Sequence, residues 1–127
     1  MSDYTYFTVE QYSSVSVLTW KESGAMRDSL NGELRVELQA FVLTAKPTCV
    51  VVSFAQLRQC PSALIGGLLA LKKQLAERGT GLQLCEMNQL HEQFERLHVD
   101  RLFDIHDSVA DAIAACEEVV KSGGQHD

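Results

Sequence analysis

The sequence predicts one α/β domain: a mixed sheet of about five strands that starts with a hairpin, packed by about four helices. Three observations predict it. Two alternating segments near the start are separated by a polar pair of residues. Two short apolar runs, 49–54 and 81–87, have the continuous character of strands buried on both faces. Segments with helical periodicity follow the hairpin and each of these runs, giving the order β-β-α-β-α-β-α-β-α.

Each element has a local reason. Thr5, Phe7 and Val9 lie on one side of the first segment, with Tyr6, Thr8 and Glu10 on the other. That is strand alternation. Ser13 and Ser14 make a tight polar connection, and Val15 to Trp20 alternates again. The pair reads as an antiparallel hairpin. In "SLNGELRVELQAFVLTA", Leu34, Leu38, Phe41, Val42 and Ala45 recur at helical spacing, and Pro47 ends the helix. "CVVVSF", Cys49 to Phe54, reads as a central strand.

"RQCPSALIGGLLALKKQLAERG" then turns into an amphipathic helix that runs to Arg78 and stops at Gly79. "GLQLCEM" is a second interior strand. "NQLHEQFERLHV" is a short helix with Asn88 as its expected cap. "RLFDIHDS" supplies a short strand. The last helix starts after Ser108 and carries Val109, Ala112, Ile113, Cys116 and Val120 on one stripe. The folded domain is expected over 1–121, with a flexible polar tail at 122–127. Each strand–helix–strand unit imposes a right-handed crossover and parallel pairing.

The 127 residues suit one domain, and 46% hydrophobic with 22% charged residues is ordinary globular composition. A net charge of −6 argues against nucleic acid and against an anionic membrane surface. The start "MSDYTYFTVEQYSS" has neither the basic nor the apolar region of a signal peptide, and no apolar run is long enough for a bilayer span. The expectation is a soluble cytoplasmic protein. Cys49, Cys60, Cys85 and Cys116 form no CxxC pair and are expected to be small core hydrophobes, not disulfides.

His91, His98, His106 and His126 fit no zinc spacing, so no metal is expected. No phosphate-binding glycine loop and no GxSxG elbow occurs, so neither a cofactor nor enzyme activity is expected. Ser62 sits on a strand-to-helix turn, as a hydrolase nucleophile would, but within "CPSAL". A hydrolase using Ser62 is the remote alternative.

From Cys49 to Ala115 the chain resembles the STAS domain family, which includes the anti-sigma-factor antagonists. The resemblance rests on "CVVVSF", the loop and helix "CPSALIGGLL", "LQLC", "VDRLFDIHDS" and "VADAIAA" in that order. In that family a motif close to Asp-Ser-Ser-Gly-Leu-Gly opens the helix. Without gaps, Pro61 takes the place of the Asp, Ser62 the first Ser and Ala63 the second. Leu64 takes the first Gly, Ile65 the Leu and Gly66 the second Gly. The second Ser is the one that a partner kinase phosphorylates in regulated antagonists, and Ala63 has no hydroxyl there. A register shifted by one residue would make Ser62 the acceptor but needs a gap. An Asp common at the place of Ser53 is also missing.

The resemblance implies a protein-binding module. It would dock the loop before the helix, and the helix's exposed face, onto a serine-kinase anti-sigma factor or related signalling protein, and so regulate transcription. The implied contact residues are Cys60, Pro61, Ser62, Ala63, Leu64 and Gly67. Phosphorylation is implied not to control Ala63, with Ser62 left as a lesser acceptor. The alternative role is that of an accessory STAS subunit in a transporter or larger signalling complex. Read from the residues themselves, Ser62 can cap the helix for roughly 1 kcal/mol. Leu64 is a partner contact if exposed and core if buried. The Gly66–Gly67 pair costs roughly 1 kcal/mol per glycine inside a helix, which close approach of another backbone would offset.

Overall fold

The computed structural model describes residues 2–21, 33–58, 60 and 62–125; described side chains exclude those of residues 2, 3, 62, 63 and 118–125. Six strands form one sheet in chain order: β1 (Ser2–Asp3), β2 (Phe7–Tyr12), β3 (Val15–Trp20), β4 (Cys49–Ser53), β5 (Gly81–Cys85) and β6 (Asp104–His106). The first three pair antiparallel, and β3 to β6 pair parallel. The hairpin, the two interior strands and the short fifth strand are all present. The two-residue β1 adds a sixth on the hairpin's outer edge.

The helices are α1 (Glu33–Ala45), α2 (Ser62–Glu77), α3 (Leu90–Arg96) and α4 (Val109–Gln125), with a 3₁₀ turn at Asp100–Leu102. The expected start of the first helix before residue 33 lies outside the described residues. The last helix runs to Gln125, past the expected domain end at residue 121.

All five residues of β4 are buried, as a strand covered on both faces must be. Val50 and Val52 face the larger core, with Leu34, Leu38 and Phe41 of α1 and Leu64, Leu68 and Leu71 of α2. Cys49 and Val51 face a smaller core beneath α4, with Val15, Val17, Cys85, Ala112 and Cys116. Two carboxylates of α1 tie it to the hairpin. Glu37 accepts the backbone N–H groups of Thr5 (3.0 Å) and Tyr6 (3.2 Å), and Glu33 accepts the Tyr6 hydroxyl (2.9 Å).

The helix ends follow the local sequence with one exception. Lys46 turns left-handed (φ 47°) ahead of Pro47, and Gly79 (φ 70°) closes α2, where the N–H of Thr80 reaches the Leu75 carbonyl. The Ser108 hydroxyl accepts the N–H of Asp111 and caps α4. Asn88, expected to cap α3, does not. It adopts φ 51° and its amide reaches back to the Glu86 carbonyl, while Gln89 precedes the helix without a side-chain cap. Asn tolerates the left-handed region, and here the turn uses that tolerance.

Two expectations are corrected. Cys49 and Cys116 are not separate thiols: they form a disulfide across the smaller core, with Cα atoms 5.9 Å apart and a separation of 67 positions in sequence. Cys49 opens β4 and Cys116 lies two turns into α4, so only the tertiary fold brings them together. Closing a loop of this length stabilises the fold by about 4 kcal/mol on the chain-entropy account. The second correction concerns the glycine pair. A methyl at Gly67 would meet Leu34 Cδ2 at 3.4 Å, and one at Gly66 would meet the Arg35 guanidinium at 3.1 Å. The close neighbours are side chains of α1, not another backbone.

Two outcomes test this packing. Gly67→Ala is expected to stabilise the protein by up to about 1 kcal/mol in urea unfolding, because the methyl meets ordinary contact and helix propensity improves; a loss of stability would contradict the geometry. Under denaturing, non-reducing conditions, alkylation is expected to label Cys60 and Cys85 only, with Cys49 and Cys116 labelled after reduction. Labelling of all four without reductant would refute the pairing.

Candidate functional site

The parallel strands deliver their loops to one end of the sheet, beyond their carboxyl ends. Open α/β sheets commonly bind there. β4 ends at Ser53, and Phe54 is fully buried with its N–H donated to the Cys85 carbonyl. The chain then turns, with the N–H of Leu57 on the Phe54 carbonyl, and α2 opens at Ser62. Ala55, Gln56 and Arg58 are exposed on this loop, while Leu57 packs partly onto the core. From the neighbouring element, the Gln93 amide donates to the Cys60 carbonyl at 2.8 Å and pins the loop to α3.

The implied contact residues fall into two groups. Pro61 lies outside the described residues. Ser62 and Ala63 occupy the first turn of α2, and their side chains also lie outside the described residues. The side chains of Leu64 (0% exposed) and Cys60 (4% exposed) are core, and Gly67 is buried against α1. This corrects Cys60, Leu64 and Gly67 as direct partner contacts: helical spacing turns Leu64, Leu68, Leu71 and Leu75 onto the sheet together. They hold the helix in place against the sheet.

The facing wall comes from the loop after β5. The Ser53 hydroxyl donates to Glu86 Oε1 at 2.8 Å and accepts the N–H of Ala55 at 3.3 Å. One buried hydroxyl therefore fixes both loops. Glu86 (φ 56°) and Asn88 (φ 51°) are both left-handed, a conformation that costs non-glycine residues on the order of 1 kcal/mol each. Between the loops lies a groove of about 530 Å³ lined by Ala55, Leu57, Arg58, Asn88 and Gln89. Sequence reasoning missed this second wall. Its one sequence signal was "EMN" after an interior strand, where polar residues end the apolar run.

Two thiols sit beneath the site. Burial pushes Cys60 up to about 12, from an ordinary 9. Burial does the same to Cys85, helped by the Glu86 charge and opposed by the neighbouring Ser53 hydroxyl. Both are protonated at neutral pH and unsuited to act as nucleophiles. His106 is engaged by the Gln83 amide oxygen at 2.6 Å, and His91 faces Glu95 at 3.5 Å. Among the described residues, no helix is long and apolar enough to cross a membrane.

Because both thiols are held neutral in the fold, unfolded thiols ionise first as pH rises above 9, and stability falls until the folded values near 12 are reached. The loss is about 1 kcal/mol per thiol between pH 9 and 10. The double variant Cys60→Ala/Cys85→Ala is expected to lose less stability over that interval in urea melts than the parent does. Parallel pH profiles would show that the thiols are not buried as described.

No family model matches the chain, and no curated protein matches it in sequence. Solved structures do match. An anti-sigma factor antagonist from Mycobacterium paratuberculosis superposes with a TM-score of 0.69 at 18% identity, covering 87% of this chain and 92% of that one. A serine-to-glutamate variant of RsbS from Moorella thermoacetica gives 0.75 at 9% identity, covering 91% and 97%. The Bacillus cell fate determinant SpoIIAA in its phosphorylated form gives 0.60 at 14% identity, covering 86% and 97%. With nearly the whole length of each in common, and with the sheet order and crossovers already described, this chain has the STAS-domain fold.

Proposed function

We propose that the chain is a regulatory protein-interaction module of the anti-sigma-factor-antagonist type. It docks the loop 54–61 and the first turn of α2 onto a serine-kinase anti-sigma factor or a related signalling protein. One observation carries this reading: α2 opens at Ser62, the residue that the ungapped resemblance places at the first motif serine. Position 63 then falls within the first helical turn, where backbone N–H groups lack intrahelical acceptors and the macrodipole is positive. A phosphate on that turn is tolerated locally but changes the charge offered to a partner.

Ala63 removes that control, so the module binds without being switched at this position. Burial of Leu64, Leu68, Leu71 and Leu75 gives the docking turn a rigid support. Pre-organisation of this kind lowers the ordering cost of binding. The Ser53–Glu86 link fixes the adjoining wall of the same surface.

The test uses purified protein and a serine-kinase anti-sigma factor from the same cells, with ATP. Ala63→Arg is expected to weaken binding by about tenfold or more, as a bulky charge placed in a packed interface does. Ala63→Ser is expected to gain a phosphate that the parent does not take up, read by intact-mass spectrometry. Unchanged binding by Ala63→Arg, or phosphorylation of the parent at Ser62, would overturn the proposal.

A further inference from the structure

The face of α1 and α2 turned away from the sheet carries a second surface. Both helices cross over between parallel strands on the same side of the sheet, so they run side by side in the same direction. Between them lies a groove of about 530 Å³. Leu43 and Ala70 give it apolar walls. Val36 (65% exposed) lies two turns before Leu43 (49% exposed) on the same face of α1, and the exposed Leu69 flanks Ala70 on α2.

The charges along this groove oppose those of the chain. Arg35, Lys73 and Arg78 line it, against the single carboxylate of Glu77, in a protein of net charge −6. Among the described residues, the side chains of Arg35, Lys73 and Arg78 make no hydrogen bond or ion pair. Gly66 makes room for this arrangement, since a methyl there would press on the Arg35 guanidinium at 3.1 Å. The cations are strung along a shallow, mostly polar groove to which Leu43 and Ala70 add apolar contact. Such a pattern suits an occupant with an apolar stripe and acidic flanks. A nucleic acid would leave the apolar contacts of Leu43 and Ala70 unused.

We infer that the α1–α2 groove is a docking site for an acidic amphipathic helix of a protein partner. The lining from Arg35 to Leu43 spans on the order of 12 Å, so two to three helical turns fill it. This surface is separate from the loop before α2, and the inference holds whichever protein that loop binds.

The probe is a synthetic helical peptide of about 14 residues with leucine at i, i+3, i+4 and i+7 and glutamate on both flanks. It is titrated into the isotope-labelled full chain and followed by NMR. Shift changes are expected at Leu43, Ala70 and Lys73, and the affinity is expected to fall with salt. The exposed double variant K73E/R78E, checked for an unchanged fold by its own spectrum, is expected to bind at least about fivefold more weakly. Equal binding of a peptide with lysine in place of glutamate would overturn the inference, as would shifts lying outside the groove. Binding of phosphatidylglycerol vesicles or a single-stranded oligonucleotide in preference to the peptide would also overturn it.

Discussion

Strand β4 is buried on both faces along its whole length, and the rest of the molecule follows from that constraint. A strand with no solvent face needs cover on each side and hydrogen-bonded neighbours on each edge. β3 and β5 supply the neighbours in parallel pairing, and parallel pairing demands crossovers. The crossovers put α1 and α2 on one face, and α4 returns to cover the other. The same geometry gathers the loops after β4 and β5 at one end. The candidate site is therefore where the topology puts it, and local residues only shape it.

That division explains what the sequence revealed. The alternation in the hairpin, the continuous run at 49–54 and the leucine stripe of α2 are one-dimensional records of burial, and all three were readable. The Ser108 cap and the Gly79 stop were readable for a similar reason, because their partners lie within a few residues. The Cys49–Cys116 bond, the Ser53–Glu86 link and the Glu37 contacts were not. Each joins residues more than thirty positions apart, and nothing in the local pattern names the partner.

The candidate site was legible in part. Its place came from the family resemblance, whose ungapped register puts the first motif serine at Ser62, where α2 opens. Side-chain orientation within it did not follow, because motif matching assigns residues to places without saying which way they point. Helical phase decides that, and it turns Leu64 onto the sheet. The glycine pair has a like explanation: the side chains of Leu34, Leu38 and Arg35 fill the space that a backbone was expected to occupy. The buried residues at the start of α2 thus hold its first turn against the sheet.

The most direct measurement of the central claim is hydrogen–deuterium exchange of the purified chain alone and in complex with a serine-kinase anti-sigma factor. The account predicts protection concentrated in residues 54–66, with the loop at 86–89 protected to a lesser degree. No complex, or protection confined to β6 and the 3₁₀ turn beside it while the start of α2 exchanges as in the free chain, would contradict it.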